Sequence, residues 1–440
     1  MKTVRNLRNK EFGFLLITLS VLMPLLFILG GSLVAYSIVD IRSASRSEDS
    51  TRGFYLAEAA IDQGYRWLRD QAGPPGGTQP LVINGGWQQL NNGSGTFLVA
   101  VDPDDNNPNS YIKRYTIQGW GVSDATGALR QTEMVVQVES FARYAYFTNS
   151  EISSSGQVVW FRTGDHIEGP IHSNGRFSMY GKPTFDGQVT SVSPTINYYN
   201  PAPPGGNAPN FNGGLQLGAD PKPYPKVISS ALISAATSAG RVFQGNTTVT
   251  LVSNGTMKVT NSIAHLTNAT LSLPANGVLY VKSGSVNLQG TLHGQLTVAA
   301  SGDIKVTNSI TYADNPQTNP ESTDLLGVVA AGNVVVASTA PYNVTIDGSI
   351  MALNTSFTVQ NWSTGPHKGT LTVNGGIMQA KRGPVGAMNG ATGQMVAGYL
   401  KDYHYDSRLR TMIPPYFPLT GDYVFIGWDE EDGQPPIGPG

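Results

Sequence analysis

The chain has 440 residues, a formal net charge of −2 and only 13% charged residues. A chain so close to neutral is not a general electrostatic trap for nucleic acid or anionic membranes. The absence of cysteine excludes disulfides and thiolate metal sites, and the 51 glycines and 28 prolines suit short strands joined by tight turns.

The N-terminal segment combines a basic flank with a long apolar stretch. Four basic residues and one acidic residue precede Phe12, and no charged side chain occurs from Phe12 to Val39. About 20 apolar residues cross a bilayer, and the positive-inside rule places the basic flank in the cytoplasm. We therefore expect a single-pass protein of the cytoplasmic membrane with its N-terminus inside. A plain anchor and a conventional signal peptide, whose apolar core is only about 7–15 residues long, are the alternatives.

A helical pattern continues beyond the apolar stretch. Residues at spacings of three and four form one face of an amphipathic helix: Phe54, Ala57, Ile61, Tyr65 and Leu68. The sequence GPPGG (73–77) ends the pattern. We predict a single helix over residues 14–72, with an apolar first half and a half-buried second half.

The first 72 residues resemble the type IV pilin superfamily. The leader of that family is short and basic and ends in glycine, followed by phenylalanine or methionine and an apolar stretch. Here MKTVRNLRNKEFG precedes FLLITLSVLMPLL, and AEAAIDQGYRWL resembles a tract of PilX-like minor pilins. The resemblance implies a prepilin leader over residues 1–13, cleavage by the prepilin peptidase between Gly13 and Phe14, N-methylation, and assembly with other pilins and minor pilins.

Thr18 departs from the pattern of the major pilins, which carry glutamate at this fifth mature position. In the family, that carboxylate offsets the terminal ammonium of a neighbouring subunit inside the apolar filament core, where an unpaired charge is costly. Thr18 therefore predicts a minor subunit at or near the tip. A hydroxyl bonded to the carbonyl one turn back is a local role that is compatible with this interpretation.

Residues 73–140 contain three stretches with the alternating pattern of strands, at 96–101, 111–122 and 129–140. They predict a small antiparallel meander that covers the apolar face of the helix. Helix and sheet together would form an α+β pilin-like core.

From residue 141 to 440 the pattern changes to short apolar strands separated by glycine or asparagine corners. Strands beginning at 249, 257, 271, 279 and further on recur at short intervals, which predicts a mainly-β, parallel β-solenoid. A β-sandwich would have longer strands. Three further segments are expected: a Pro/Gly-rich loop (192–226), an apolar helix (227–240) that caps the solenoid, and a tyrosine-rich C-terminal cap (399–440) whose last residues fray.

Two further resemblances concern this part of the chain. The block from FARYAYFTNSE (141–151) to TGDHIEGPIHSNGRFSMYG (163–181) resembles a domain of unassigned function found beside pilin-like N-termini. The complete plan resembles the oversized minor pilins of pili and natural transformation, or competence, in Thermus-type bacteria.

One cluster of basic and aromatic residues near the C-terminus is the candidate binding site. Its members are Lys381, Arg382, Lys401, Arg408 and Arg410, interleaved with Tyr399, Tyr403 and Tyr405. Basic groups beside aromatic rings suit contact with extracellular DNA, although Asp402 and Asp406 dilute the charge. A structural cap and contact with surface polysaccharide or protein are the alternatives.

Two polar stretches are weak candidates for metal sites. One holds His166, Glu168 and His172, and the other holds Asp102, Asp104 and Asp105. Gly169 and Pro170 interrupt the first stretch, and the second lacks the spacing of an EF-hand. Structural turn residues are the favoured interpretation, and we expect no metal or cofactor.

The sequence thus predicts a minor pilin-like subunit that displays a solenoid on the pilus or cell surface for pilus assembly, adhesion or DNA capture. A type II secretion pseudopilin is the first alternative, and a membrane-anchored polysaccharide-active β-helix enzyme is the second. Enzymes of that kind use paired carboxylates, yet Asp303 is the one acidic residue between Thr247 and Ile310. We therefore expect no enzymatic activity.

Overall fold

The computed structural model describes residues 3–71, 73–77, 79–90, 94–103, 113–199, 206–389, 394–431 and 433–438, with side chains from Phe14 onward. The chain divides into two compact units. The first unit comprises residues 1–108, 113–137 and 423–440, and the second comprises 109–112 and 138–422. The second unit is thus inserted, in sequence, before the last segment of the first.

The first unit contains a long helix and an antiparallel sheet. Its elements are the helix Thr3–Arg69, the 3₁₀ turn Ile83–Gly85 and the strands Leu81–Val82, Gln88–Gln89, Gly95–Pro103, Arg114–Ser123, Leu129–Ser140 and Leu419–Glu431. Gln88–Gln89 pairs with Gly95–Pro103, and the other strands follow one another across the sheet in chain order.

The predicted meander is confirmed. Val99 pairs with Gly119, and Ile117 pairs with Met134, both in antiparallel register. Along Arg114–Ser123, Tyr115 and Ile117 are buried while Thr116 and Gln118 are partly exposed, as in a strand with one buried face. Residues 97–101, by contrast, are all buried. The ends of the three strands differ from the prediction by three residues or fewer.

The predicted helix is confirmed as well, and it begins earlier than expected. It runs from Thr3 to Arg69 and includes Pro24 without a break. Within its second half, Ala57, Ile61 and Leu68 are buried, which confirms the amphipathic face.

The sequence predicts that the C-terminal segment caps the second unit and frays at its end. The structure differs for its last strand. Leu419–Glu431 is a strand beside Leu129–Ser140 in the sheet of the first unit. Trp428 donates its indole N–H to Glu58 at 2.9 Å, and the Tyr423 ring lies 5.8 Å from that of Tyr115. This strand covers a sheet edge that would otherwise expose unpaired backbone groups.

The second unit consists mainly of short strands. Those before residue 240 are Tyr146–Ser150, Phe161–Arg162, His166–Ile167, Ile171–Ser173, Ser178–Tyr180, Thr184–Phe185, Val189–Ser191, Asn197–Tyr198, Asn210–Phe211 and Leu215–Leu217. Those after it are Arg241–Gln244, Thr247–Val252, Thr256–Asn261, Leu266–Ser272, Val278–Lys282, Val286–Leu292, Gln295–Ala300, Ile304–Tyr312, Leu325–Ala330, Val334–Val336, Val344–Ala352, Phe357–Val359, His367–Lys381, Gly386–Met388 and Met395–His404. The helix Ser230–Ser238 and the 3₁₀ turns Phe141–Arg143 and Ser407–Arg410 complete the unit.

Several parallel pairs connect strands that have one other strand between them in the sequence. Val298 pairs with Val328, Val328 with Ile350, and Ile350 with Ile377, all in parallel register. These four side chains are buried in one apolar core. The inward-facing side chains of these paired strands therefore form one continuous core.

The spatial order of these strands differs from their chain order. Ile377 pairs with Tyr146, the first strand of the unit, and Tyr146 pairs in turn with Ile171. The earliest strands of the unit therefore continue a ladder whose other strands come last in the sequence.

The predicted loop 192–226 contains three short strands and is not wholly irregular. Val189 pairs with Leu215 in parallel register. Phe185 pairs with Phe211, and their rings are stacked 5.4 Å apart. Burial of these apolar side chains favours strand pairing despite the surrounding prolines and glycines.

The prediction of solenoid strands is wrong for residues 256–272, which form an antiparallel meander on Thr247–Val252, whereas Thr247–Val252 itself also pairs in parallel with Val286–Leu292. Val249 pairs with Val259, and Lys258 pairs with Thr270. Tight turns can join antiparallel neighbours, whereas parallel neighbours need a longer crossover. The Asn254-Gly255 corner, where Gly255 has a φ of 79°, therefore marks a hairpin.

The short helix predicted at 227–240 is confirmed at Ser230–Ser238. Ser229 caps it by accepting a hydrogen bond from the backbone N–H of Leu232 at 3.2 Å. Leu232 and Ala235 are buried beside Val278. The proposed capping role of this helix stays a prediction.

Candidate functional site

The first half of the long helix presents an apolar surface. Phe14 is 71% exposed, and the apolar side chains up to Ile41 are similarly uncovered. Its most apolar window has a mean hydropathy of 2.4, and by length and composition the helix could cross a membrane. Thr18 donates its hydroxyl to the carbonyl oxygens of Phe14 and Leu15 at 2.9 and 3.0 Å, so its hydrogen-bonding capacity is used within the helix.

Arg382, the centre of the predicted basic cluster, is buried. Its guanidinium Nη1 lies 2.6 Å from Glu151 Oε2, and the two side chains are 3% and 2% exposed. The guanidinium carbon also lies 3.6 Å from the centre of the Phe161 ring. This cation is neutralised and desolvated where it stands, so it is not available to a polyanion in solution.

Lys401 and Arg408 are paired as well. Lys401 Nζ lies 3.0 Å from Asp165 Oδ2, and burial lowers the pKa of the Lys401 ammonium although Asp165 opposes the shift. Arg408 lies 2.7 Å from Asp406 and donates to the Ser322 carbonyl at 2.6 Å. Both side chains have structural partners, which the sequence pattern did not reveal.

The tyrosines of the cluster have structural partners too. Tyr399 donates its hydroxyl to the Pro341 carbonyl at 2.6 Å and Tyr405 donates to the Arg143 carbonyl at 2.8 Å, while Tyr403 is half-buried. Lys381 and Arg410 are exposed. The prediction of one contiguous cationic surface is therefore corrected, because carboxylates and the protein core occupy its central cations.

The structure does not bring the predicted metal ligands together. His166 Nε2 lies 2.6 Å from Asp186. His172 is buried, hydrogen-bonds Thr190 at 2.8 Å, and has its pKa lowered by burial. Glu168 lies 3.2 Å from His404. Within the described ranges no group of three or more candidate ligands could hold a metal ion. Asp102 is the penultimate residue of the strand Gly95–Pro103, while Asp104 and Asp105 lie outside those ranges.

His404 links two carboxylates and provides a test of the electrostatics in this part of the second unit. Its ring nitrogens lie 3.2 Å from Glu168 and 2.9 Å from Asp402. Burial alone would lower the pKa of His404, but the hydrogen bond to Glu168 and the charges of both carboxylates outweigh burial and raise it.

We expect the stabilisation from His404 to be fully present below about pH 6.5, the ordinary pKa of histidine, and to be lost as the pH rises through the raised pKa. The difference in thermal unfolding midpoint between the wild type and His404→Asn should therefore shrink from about pH 6 to pH 9. His265, which is exposed, provides the matched control variant His265→Asn. A constant difference across this pH range would contradict the assignment.

A cavity of about 480 Å³ lies in the second unit and was not anticipated from the sequence. Its lining includes Trp160, Trp362 and Tyr399, together with Arg162, Asp165 and Lys401. Aromatic faces and a few charged groups thus meet in one concave surface. A volume of this size is within the range of about 300–1,000 Å³ that is typical of ligand pockets.

Aromatic contacts extend from this cavity along the surface. The Arg162 guanidinium lies 4.8 Å from the centre of the Tyr180 ring. The Tyr180 ring lies 4.6 Å from that of Tyr199, which in turn lies 5.5 Å from that of Trp160. These contacts hold Trp160 and Arg162 in defined orientations at the cavity.

The backbone at Trp362 forms a tight turn. The backbone N–H groups of Thr364 and Gly365 donate to the Asn361 carbonyl at 3.2 and 2.7 Å, and Asn361 has a φ of 59°, which asparagine tolerates better than most residues. In the sequence, Trp160 and Trp362 stand far apart in unrelated stretches, VVWFRTG and QNWSTG. No local pattern could have joined them.

Parts of this chain resemble known proteins in sequence and in structure. A family model described as "Domain of unknown function (DUF4900)" matches residues 111–193, a range that includes the block likened above to a domain of unassigned function. No curated protein matches the sequence.

The structural match is to the competence-associated pilin ComZ from Thermus thermophilus, with a TM-score of 0.38 and 13% identity. The match covers 87% of this chain and 97% of that one. A TM-score of 0.38 is too low to establish a common fold.

Proposed function

We propose that this chain is a minor, PilX-like pilin subunit of a type IV pilus, inserted in the cytoplasmic membrane and assembled at or near the filament tip. One observation carries the proposal: the Gly13-Phe14 junction precedes an apolar segment within one unbroken helix. The second half of that helix packs on an antiparallel sheet, whereas its first half is exposed.

The exposed half of the helix requires a covering environment. Apolar surface in water costs about 25 cal/mol per Å², and an uncovered apolar patch of this extent marks a membrane or protein contact. The side chains from Phe14 to Ile41 would lie in the bilayer before assembly and against neighbouring pilin helices afterwards.

Thr18 supports the assignment as a minor subunit. Its hydroxyl is bonded within its own helix and supplies no carboxylate for the terminal ammonium of a neighbour. A chain without that carboxylate would be unfavourable in repeated stacking, so we assign it to few positions in the filament.

For the second unit we propose a β-solenoid that is displayed outward in a structural or binding role and not a catalytic one. The parallel register of Val298, Val328, Ile350 and Ile377 supports this architecture. DNA capture by the predicted basic cluster would depend on its exposed members, Lys381 and Arg410.

The mature N-terminus tests the proposal. We expect mass spectrometry of the protein from its native membrane or filament to give a chain that begins at N-methylated Phe14. The variant Gly13→Leu, which alters the junction and leaves the apolar helix unchanged, should retain the leader and fail to enter filaments. Val21→Leu is the matched control, because it preserves the apolar surface away from the junction.

An intact leader in the wild type, or cleavage beyond Gly31, would overturn the proposal. A deletion strain scored for pili, DNA uptake and secretion separates the two assembly systems. Loss of piliation or transformation supports the pilus assignment, whereas a secretion defect alone supports the type II secretion pseudopilin.

A further inference from the structure

The aromatic cavity of the second unit has features that select for one class of ligand. We propose that it binds a short segment of a neutral polysaccharide, with sugar rings against Trp160 and Trp362. This proposal concerns the second unit alone and holds whether or not the chain assembles into a filament.

The two tryptophans provide the faces for such a ligand. Both are half-buried and both line the cavity. A pyranose ring has an apolar C–H face that packs on an indole ring and a rim of hydroxyl groups that require hydrogen-bond partners. Since neither indole N–H has a hydrogen-bond partner among the described residues, each is free to donate to a hydroxyl.

Arg162 adds further hydrogen-bond donors. Within the described part of the chain its guanidinium donates only to the Met388 sulfur at 3.3 Å, a weak acceptor, and its Nε is buried without a partner. Gln157 also lines the cavity and can both donate and accept. A purely apolar ligand would cover these groups without offering partners, which is unfavourable.

The charges of the cavity disfavour a polyanion. Lys401 is paired with Asp165, and nearby Arg382 is paired with Glu151. Nucleic acids bind through cations that are free to replace counterions at the phosphates. With two of its three neighbouring cations already neutralised, this part of the unit suits an uncharged ligand better than DNA.

The site is preorganised, which reduces the entropic cost of binding. The Trp362 side chain packs against the apolar core of the unit, and the Trp160 ring contacts that of Tyr199. Binding therefore requires little ordering of the two main contact surfaces.

The test uses the full chain in phospholipid nanodiscs, because glycoside detergents would present sugar headgroups to the cavity. The probes are cellotriose, maltotriose and N,N′,N″-triacetylchitotriose, all of them uncharged, and their binding is measured by tryptophan fluorescence and calorimetry. We expect at least one to bind with a Kd between about 0.01 and 1 mM. Trp160→Ala and Trp362→Ala should each weaken binding by about tenfold or more.

Three controls keep the result interpretable. Tyr342→Ala removes an exposed ring of the second unit that does not line the cavity, and it should leave the Kd unchanged. Trp362→Phe retains a ring face and should retain most of the affinity. Circular dichroism of each variant verifies that it is folded.

The proposal is overturned if no trisaccharide binds below about 10 mM, or if folded tryptophan variants bind as tightly as the wild type. It is also overturned if oligothymidylate binds, loses its affinity in the same variants, and the sugars do not bind. That last result would assign the cavity to single-stranded nucleic acid.

Discussion

Replacing Arg382 with methionine should destabilise the second unit by about 3–5 kcal/mol. The substitution leaves the Glu151 carboxylate buried, since that side chain is 2% exposed and Arg382 is its ion-pair partner. Among the described residues, the Glu151 carboxylate would keep only the hydrogen bond from the Thr148 hydroxyl. The free energy of unfolding, from denaturant titration of the full chain in nanodiscs, is the measurement.

The neighbouring residue provides a matched control. Lys381 is exposed, so Lys381→Met should change the free energy of unfolding by no more than about 0.5 kcal/mol. The double variant Arg382→Met/Glu151→Leu removes both charges and should recover much of the lost stability, because an apolar pair often replaces a buried ion pair without a net cost. Equal effects of Arg382→Met and Lys381→Met would contradict the buried pairing.

This pair of residues also shows what sequence patterns cannot reveal about a site. Lys381 and Arg382 are adjacent in the chain, yet one is exposed and the other is in the core. Their exposure differs because Arg382 is paired with Glu151. Glu151 is far away in the sequence and is brought close by the parallel pairing of Tyr146–Ser150 with His367–Lys381. Charge patterns in a sequence indicate which groups are close along the chain, but their availability depends on partners that only the fold supplies.

The elements that were predicted correctly are those specified by local periodicity. The buried helix residues Ala57, Ile61 and Leu68 are four and seven residues apart, and burial alternates over the first half of the strand Arg114–Ser123. Both patterns follow from burial of one face of a single element. They do not depend on which other element covers that face.

Strand order depends on long-range pairing and was not predictable in the same way. Tyr146 lies between Ile377 and Ile171 in the ladder, although each of these strands shows the same short apolar pattern. The meander at 256–272 has similar intervals but pairs in antiparallel register. Interval alone therefore does not distinguish a coil from a hairpin, whereas the turn residues do.

Substitution of Gly121 by alanine should destabilise the first unit by about 3 kcal/mol or more, at or above the upper end of the usual range for overpacking. A Cβ at this position would lie 2.1 Å from the Gly53 carbonyl oxygen and 2.5 Å from the Ala57 backbone nitrogen. Both are backbone atoms of the long helix, so no side-chain rotation can relieve the contact. The yield of folded protein and its resistance to limited proteolysis are the measurements.

Gly427 provides the matched control, because it lies in a strand of the same sheet and a Cβ there would meet nothing within 4 Å. Gly427→Ala should change stability by no more than about 0.5 kcal/mol, and equal effects of the two variants would contradict close packing of helix on sheet.

Gly64 shows the same requirement, since its Cβ would lie 2.5 Å from the Ile117 side chain. Small residues on both sides let the helix backbone approach the sheet closely. Gly121→Ala therefore tests how the second half of the long helix is joined to the sheet of the first unit.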